Sequence, residues 1–228
     1  MSSLKNVLAA TDFSSPSRHA ADRAARLAHS TGARLRLVHA LSANALAQLQ
    51  QLLGLGSAVE QTLIEQTRQA LDVMAGELGT ARGVAIESAL LQGAVLEEVS
   101  RQADEMPADL MVLGARGAGF MRRFVLGSTA ERLLRKSKHP MLVVKQRAHE
   151  PYRRVLVPVD FSAWSAPLID LARGVAPGAH LVLLTAYEVP FEGKLRFDMA
   201  EDLLLGSVTK HVLAESVGDV LVSTSRQV

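Results

Sequence analysis

The stretch from Ala108 to Val144, ADLMVLGARGAGFMRRFVLGSTAERLLRKSKHPMLVV, constrains the fold more than any other part of the chain. Leu110 to Leu113 is a short apolar run that stops at Gly114, as a strand buried on both faces does. Glycines follow at 114, 117, 119 and 127. Glycine tolerates positive φ and lets another group come close to the main chain. Ser128 and Thr129 then precede an apolar-periodic segment through Ala130, Leu133 and Leu134, which predicts a helix. Pro140 to Lys145 predicts one more strand. A strand, a glycine loop, a helix and a second strand close most readily as a parallel crossover. The helix points unpaired N–H groups and the positive end of its dipole back at the loop, which makes an anion site. Arg116, Arg122 and Arg123 in the loop add charge of the matching sign.

The rest of the first half repeats that alternation. Leu4 to Ala10 predicts a strand that ends at Thr11-Asp12-Phe13-Ser14. Ser14 or Ser15 caps a helix with Pro16 in its first turn, running to about Ser30 and stopped by Gly32. Ala33 to Ala40 predicts a strand, and residues 42–56 a short helix or lid. Ala58 to Leu78 predicts an amphipathic helix, Val84 to Leu91 a strand and Val95 to Ala103 a helix. Strands alternating with helices imply a parallel α/β sheet covered on both faces.

Gly114, two residues, Gly117, nine residues, then Gly127-Ser128 is similar to the nucleotide loop of the ATP-binding branch of the universal stress protein family. The resemblance extends over the first half and implies an open five-stranded parallel sheet of order 3-2-1-4-5 with helices on both faces. In that order a crevice opens between strands 1 and 4 at their carboxyl ends. Asp12 ends strand 1 and Gly114 ends strand 4, so two distant polar signals converge there. By the resemblance, Asp12 meets the adenosine moiety near the ribose, and Thr11 before it counts among the nucleotide-binding residues. Ala40 offers its backbone to the adenine edge, and Leu113 and Gly114 line the ribose. Gly117, Gly127, Ser128 and Thr129 hold the phosphates. The implied cofactor is ATP, with Mg2+ as an optional companion. Ser128 also has a purely structural role open to it, as a helix N-cap. Asp12 could equally be a turn or cap aspartate. Thr129 stands where the family pattern expects an aliphatic residue.

The second half echoes the first. VLAATDFSSPS from Val7 returns as VLVPVDFSAWS from Val155, and LGSTAERLLRKSKHPMLVV from Leu126 returns without a gap as LGSVTKHVLAESVGDVLVS from Leu205. This is an internal duplication. It divides the chain into a domain at 1–146, a basic linker, and a shortened, degenerate second copy of the same fold at 151–228. Between the second strand and the LGS motif the first copy has roughly 86 residues and the second roughly 19. The second copy is therefore either a shrunken domain or one from which residues are absent. It lacks the Gly-x-x-Gly, so no independent nucleotide site is expected there. Too small to close its own core, it should pack on the first domain or on another subunit. Val155, Leu156, Val157, Leu183, Leu184, Val220 and Leu221 are apolar residues in need of a partner. The strand at Pro140 to Lys145 would be an open sheet edge if left alone. A homodimer joined through the strands that end each half is the expectation, with Leu142 and Leu221 at matched positions near the contact.

Composition closes off other classes. The chain has no cysteine, which excludes disulfides, thiolate catalysis and cysteine-bound metal. No apolar run reaches the roughly 20 residues of a membrane span, and the first residues lack a signal-peptide core. No membrane partner and a cytoplasmic location are expected. Between Arg116 and Arg154 there are eleven Lys/Arg against two Asp/Glu, while the whole chain is only +2. The positive block surrounds the glycine loop. It has little aromatic interleaving and no nucleic-acid-binding motif, so no nucleic acid partner is expected. His19, His29 and His39 are read as surface or packing histidines, and Trp164, which aligns with Pro16, as a packing residue. No Walker lysine precedes Ser128 and no catalytic dyad is visible. The expected function is thus an ATP-binding regulatory or stress-response protein, with a slow ATPase or a nucleotide-free interaction module as alternatives.

Overall fold

The computed structural model describes residues 4–42, 57–115, 127–185, 212–213 and 216–223. The elements of the first half are β1 (Asn6–Ala10), α1 (Ser15–Thr31), β2 (Arg34–Ser42), α2 (Ser57–Arg82), β3 (Ile86–Gly93), α3 (Val95–Glu105), β4 (Leu110–Gly114), α4 (Ser128–Lys136) and β5 (Met141–Val144). The second half contributes β6 (Arg154–Pro158), α5 (Ser165–Val175), β7 (His180–Leu184) and β8 (Val220–Val222). Each first-half strand and helix expected from the sequence is present, save the stretch at 42–56, which falls almost wholly outside the described residues. Helix α2 starts one residue earlier and ends four residues later than expected, and β3 lies two residues further on.

The central sheet has the order β3-β2-β1-β4-β5-β8. The first five strands are parallel and follow the expected 3-2-1-4-5; β8 is antiparallel to β5. One face packs Val7, Ala9, Leu35, Leu37, Leu110, Val112 and Leu142 against α1 and α2. The other packs Leu8, Val38, Met111, Leu113, Met141 and Val143 under α3 and α4. Residues alternate between the two clusters along each strand, as the two-residue period of a strand requires. Both faces are apolar because both are covered.

Helix α1 is built for close approach. Ser14 is its N-cap and accepts from the backbone N–H of Ser17, Pro16 sits in the first turn, and Gly32 ends it with φ 72°. The face toward the sheet carries Ala20, Ala21, Ala24, Ala25 and Ala28, each at most 1% exposed. Small side chains bring the helix axis down onto the strands. At its N-terminus the approach is tight enough that a Cβ on Gly114 would lie 2.9 Å from the carbonyl carbon and oxygen of Pro16. Gly114 is therefore required by helix–sheet packing, whatever the crevice binds.

The second half splits its apolar residues. β6 and β7 form a separate two-stranded parallel sheet with one face on α5, burying Val157, Val159 and Ala172 with Val155 and Leu181 beside them. Leu156, Leu183 and Leu184 remain exposed. Trp164, expected to pack, is 57% exposed at the N-cap of α5. Val220 and Leu221 leave the second half altogether and pair with β5. The edge of β5, which the sequence assigned to a second chain, is thus filled from within the chain. Leu142 and Leu221 do meet, in one molecule. The loops after β1 and β6 share a backbone signature: Phe13 has φ 62° and Phe161 φ 60°, at matched positions of the duplicated DFS.

Candidate functional site

The crevice lies where the strand order reverses between β1 and β4. Thr11 follows β1 and is buried. Its N–H donates to the carbonyl of Val38 at 2.9 Å, which holds the end of β1 against β2. Its Oγ1 accepts from the N–H of Phe13 at 3.0 Å and lies 3.0 Å from the Ser17 hydroxyl. Asp12 is exposed at the mouth. Its Oδ1 accepts from the N–H of Ser14 at 3.1 Å and from the Ser14 hydroxyl at 2.5 Å. These bonds tie the aspartate to the residue that caps α1 and force the chain through the left-handed conformation at Phe13, a strained choice for a residue with a side chain. Asp12 is thereby a turn-closing residue as well as the carboxylate of the crevice.

On the opposite wall, Leu113 pairs with Val143 and Gly114 with Val144. The Leu113 side chain is core, in the cluster under α3 and α4, so only its backbone borders the crevice. Beyond Gly114 the strand is extended by Ala115, whose N–H donates to the carbonyl of Val144. The carbonyl of Ala115 accepts from the N–H of Gly127 at 2.8 Å. This bond matters most for the site. It brings the start of α4 back to the end of β4 across a loop whose interior, including Gly117 and Arg116, Arg122 and Arg123, lies outside the described residues.

Gly127 is the N-cap of α4, with φ −62° and ψ 142° and no side-chain cap. Ser128 is the first helical residue, so the alternative that Ser128 caps the helix does not hold. Ser128 and Thr129 are exposed while Ala130, Leu133 and Leu134 are buried against the sheet. The helix is thus anchored by its apolar face and leaves its first turn facing outward. First-turn N–H groups have no acceptor within the helix. Together with the dipole they suit an anion such as phosphate. Ala40, two residues short of the end of β2 and in register with Leu91, packs against the cluster under α3 and α4.

His39 belongs to this region, though sequence reasoning assigned it no role beyond packing. Its Nδ1 lies 2.7 Å from the carbonyl oxygen of Thr11, and its ring sits 4.6 Å from that of Phe13. It braces the strained turn from the β2 side. The signal was the neighbouring Phe in a DFS turn, which needs a partner for its ring, but nothing in sequence spacing pointed to residue 39. No metal-holding group of His, Asp and Glu is present among the described residues. A cleft of about 530 Å³ does occur among them, lined by Arg23, Arg82, Tyr152, Arg153 and Pro177. It lies by the far end of α1, away from the crevice.

An open, doubly wound sheet with a helix N-terminus returned to the switch point defines a class of α/β proteins that take ligands at the carboxyl ends of their strands. Within that class the match is specific: the model of the universal stress protein family covers residues 3–145, and the chain belongs to that family. It is 34% identical over 142 residues to a universal stress protein of Thermus aquaticus, covering 62% of this chain and 98% of the relative. It is 29% identical over 146 residues to one of Methanocaldococcus jannaschii, covering 64% and 85%. A solved universal stress protein from Archaeoglobus fulgidus superposes with a TM-score of 0.65 over 80% of this chain and 67% of that one, at 21% identity, which supports the fold alone. No helix among the described residues is long and apolar enough to cross a membrane.

Proposed function

We propose that the chain is an ATP-binding universal stress protein, a regulatory protein whose nucleotide state sets its conformation or association in a cytoplasmic stress response. The observation that carries this reading is the hydrogen bond from Gly127 to Ala115. It sets the outward-facing first turn of α4 at the end of β4, beside the turn that carries Asp12. The residues fit a triphosphate: backbone donors from Ser128 and Thr129, glycine at the approach, and a basic block around the loop. Thr11, Asp12, Ala40, Leu113 and Gly114 border the nucleoside end, and Gly117 completes the phosphate loop. Mg2+ would accompany the phosphates. The second half is read as a shortened copy of the same domain, without a glycine loop and hence without its own site. With β8 on β5, a homodimer through that edge would require β8 to leave.

Mass spectrometry of the freshly purified, denatured protein tests the reading: co-purified ATP is the expected result. Calorimetric titration should give one site per chain, and two equivalent sites would overturn the assignment. A second reading, an interaction module without nucleotide, is favoured by one observation. Thr11, Asp12, Ser14 and Ser17 hydrogen-bond to one another within the turn. Purified protein free of nucleotide that shows no heat with added ATP would establish that reading instead.

A further inference from the structure

The pairing of β5 with β8 is a local two-fold arrangement of equivalent strands. Counting along the duplicated segment, Met141, Leu142 and Val143 match Val220, Leu221 and Val222. In the sheet Leu142 faces Leu221, Met141 faces Val222 and Val143 faces Val220. An axis through the Leu142–Leu221 pair therefore exchanges each residue of one strand for its equivalent on the other. The same axis and register would seat the β5 of a second copy, Leu142 against Leu142. Two competitors of nearly identical apolar content thus suit one edge.

Immediately before the strand they differ in hydrogen-bonding capacity. Asp219, immediately before β8, matches Pro140, immediately before β5. The Asp219 side chain is 4% exposed. Its Oδ1 accepts from the backbone N–H of Lys145 at 2.8 Å and of Gln146 at 3.3 Å, both just past β5. Its Oδ2 accepts from the Tyr152 hydroxyl at 2.6 Å and lies 3.5 Å from Nε of Arg23, on α1. The Arg23 guanidinium lies 4.1 Å over the Tyr152 ring and donates to the carbonyl of Glu150. Lys145 Nζ donates to the carbonyls of Leu213 and Ser216, and the Gln146 amide donates to that of Val217. A proline in place of Asp219 offers no side-chain acceptor. A second chain's β5 would leave two backbone N–H groups, a buried phenol and a buried arginine without their carboxylate, and buried donors without acceptors are costly.

We propose that Asp219 decides which strand closes the β5 edge: with its carboxylate the chain caps itself with β8, and without it the β5 of a second copy takes the place. The tether raises the local concentration of the internal strand, and the carboxylate adds the contacts that hold it on the edge. The carboxylate makes the choice specific, because only the internal competitor carries it.

The chain has no cysteine, so a single introduced thiol reports the pairing. In Leu142→Cys with Asp219 intact, the thiol stays covered by β8, sedimentation gives the 24.5 kDa chain, and mild oxidation yields no linked dimer. Adding Asp219→Ala should raise the dimer association constant at least about tenfold, the least expected from losing one charged hydrogen bond. It should also yield a disulfide between the introduced thiols of two chains. Leu142→Cys with Leu221→Cys should link within one chain. Linked dimers of Leu142→Cys with Asp219 intact would overturn the proposal. So would a folded Asp219→Ala variant that stays monomeric and unlinked. If Asp219→Ala loses its helical circular dichroism, the near-isosteric Asp219→Asn is read by the same two outcomes.

Discussion

Replacing Gly114 by alanine tests whether helix–sheet contact or ligand approach requires the glycine. The added Cβ would stand 2.9 Å from the carbonyl carbon and oxygen of Pro16 and 3.0 Å from the Ser17 nitrogen. Carbon contacts are optimal at about 3.5–4.0 Å, so the overlap exceeds half an ångström and falls on backbone, which cannot rotate away. Relief requires α1 to lift, and α1 is seated by five alanines at most 1% exposed. Overpacking of this kind costs about 1–3 kcal/mol. For a mid-range cost, at about 2–4 °C per kcal/mol for a chain this long, Gly114→Ala should melt about 4–8 °C below wild type, nucleotide absent, by circular dichroism. Gly76→Ala is the internal control. Gly76 lies in the exposed interior of α2 with nothing within 4 Å of an added Cβ, so alanine there should stabilise by about 0.8–1.0 kcal/mol. A Gly114→Ala variant melting within about 1 °C of wild type, or rising as Gly76→Ala does, would refute the packing argument.

Three further outcomes are expected. Gly117→Val should abolish ATP binding in calorimetry while leaving the melting temperature within a few degrees; retained affinity would show that Gly117 does not serve the nucleotide. The Tyr152 phenol is pushed far above its ordinary value by burial and then by the Asp219 carboxylate. A raised acid of this kind stabilises fully below about pH 10 and loses its contribution as pH rises toward the folded value; ultraviolet titration of Tyr187→Phe, which leaves Tyr152 as the one tyrosine, should show no ionisation of the folded chain near that pH. The Asp160 carboxyl is lowered to about 2, chiefly by the Ser162 side chain and backbone and then by Ser165. A lowered carboxyl stabilises above its ordinary value near 3.8 and loses the effect as pH falls through about 2. The stability gap between wild type and Asp160→Asn should therefore shrink from about pH 5 to about pH 2, and a constant gap would contradict the assigned bonds.

Much of the fold was readable in the chain because its causes are local. A buried parallel strand must be apolar throughout, as Leu110–Leu113 is, and a helix must show a 3.6-residue apolar face, as Ala130, Leu133 and Leu134 do. Ser14 with Pro16 starts a helix and Gly32 stops one, each by its own backbone chemistry. Gly114 marked a strand end and Ser128 a helix start for the same reason, since both are sequence-local events, whereas the reversal of strand order between β1 and β4 came with the family resemblance. Tertiary structure decided what depends on distant partners. Gly114 reads as a ligand-approach glycine until α1 is placed on it, and His39 as filler until Phe13 turns left-handed beside it. The choice between Gly127 and Ser128 as N-cap rests on the bond to Ala115, which closes only once β4 and β5 are paired. The sequence showed that β5 needed a neighbour and that Leu142 and Leu221 were equivalent, but an apolar edge does not name its occupant. That was settled by Asp219, a polar residue with no periodicity to announce it, whose carboxylate gains its meaning only when Arg23, Lys145 and Tyr152 converge on it from three separate parts of the chain.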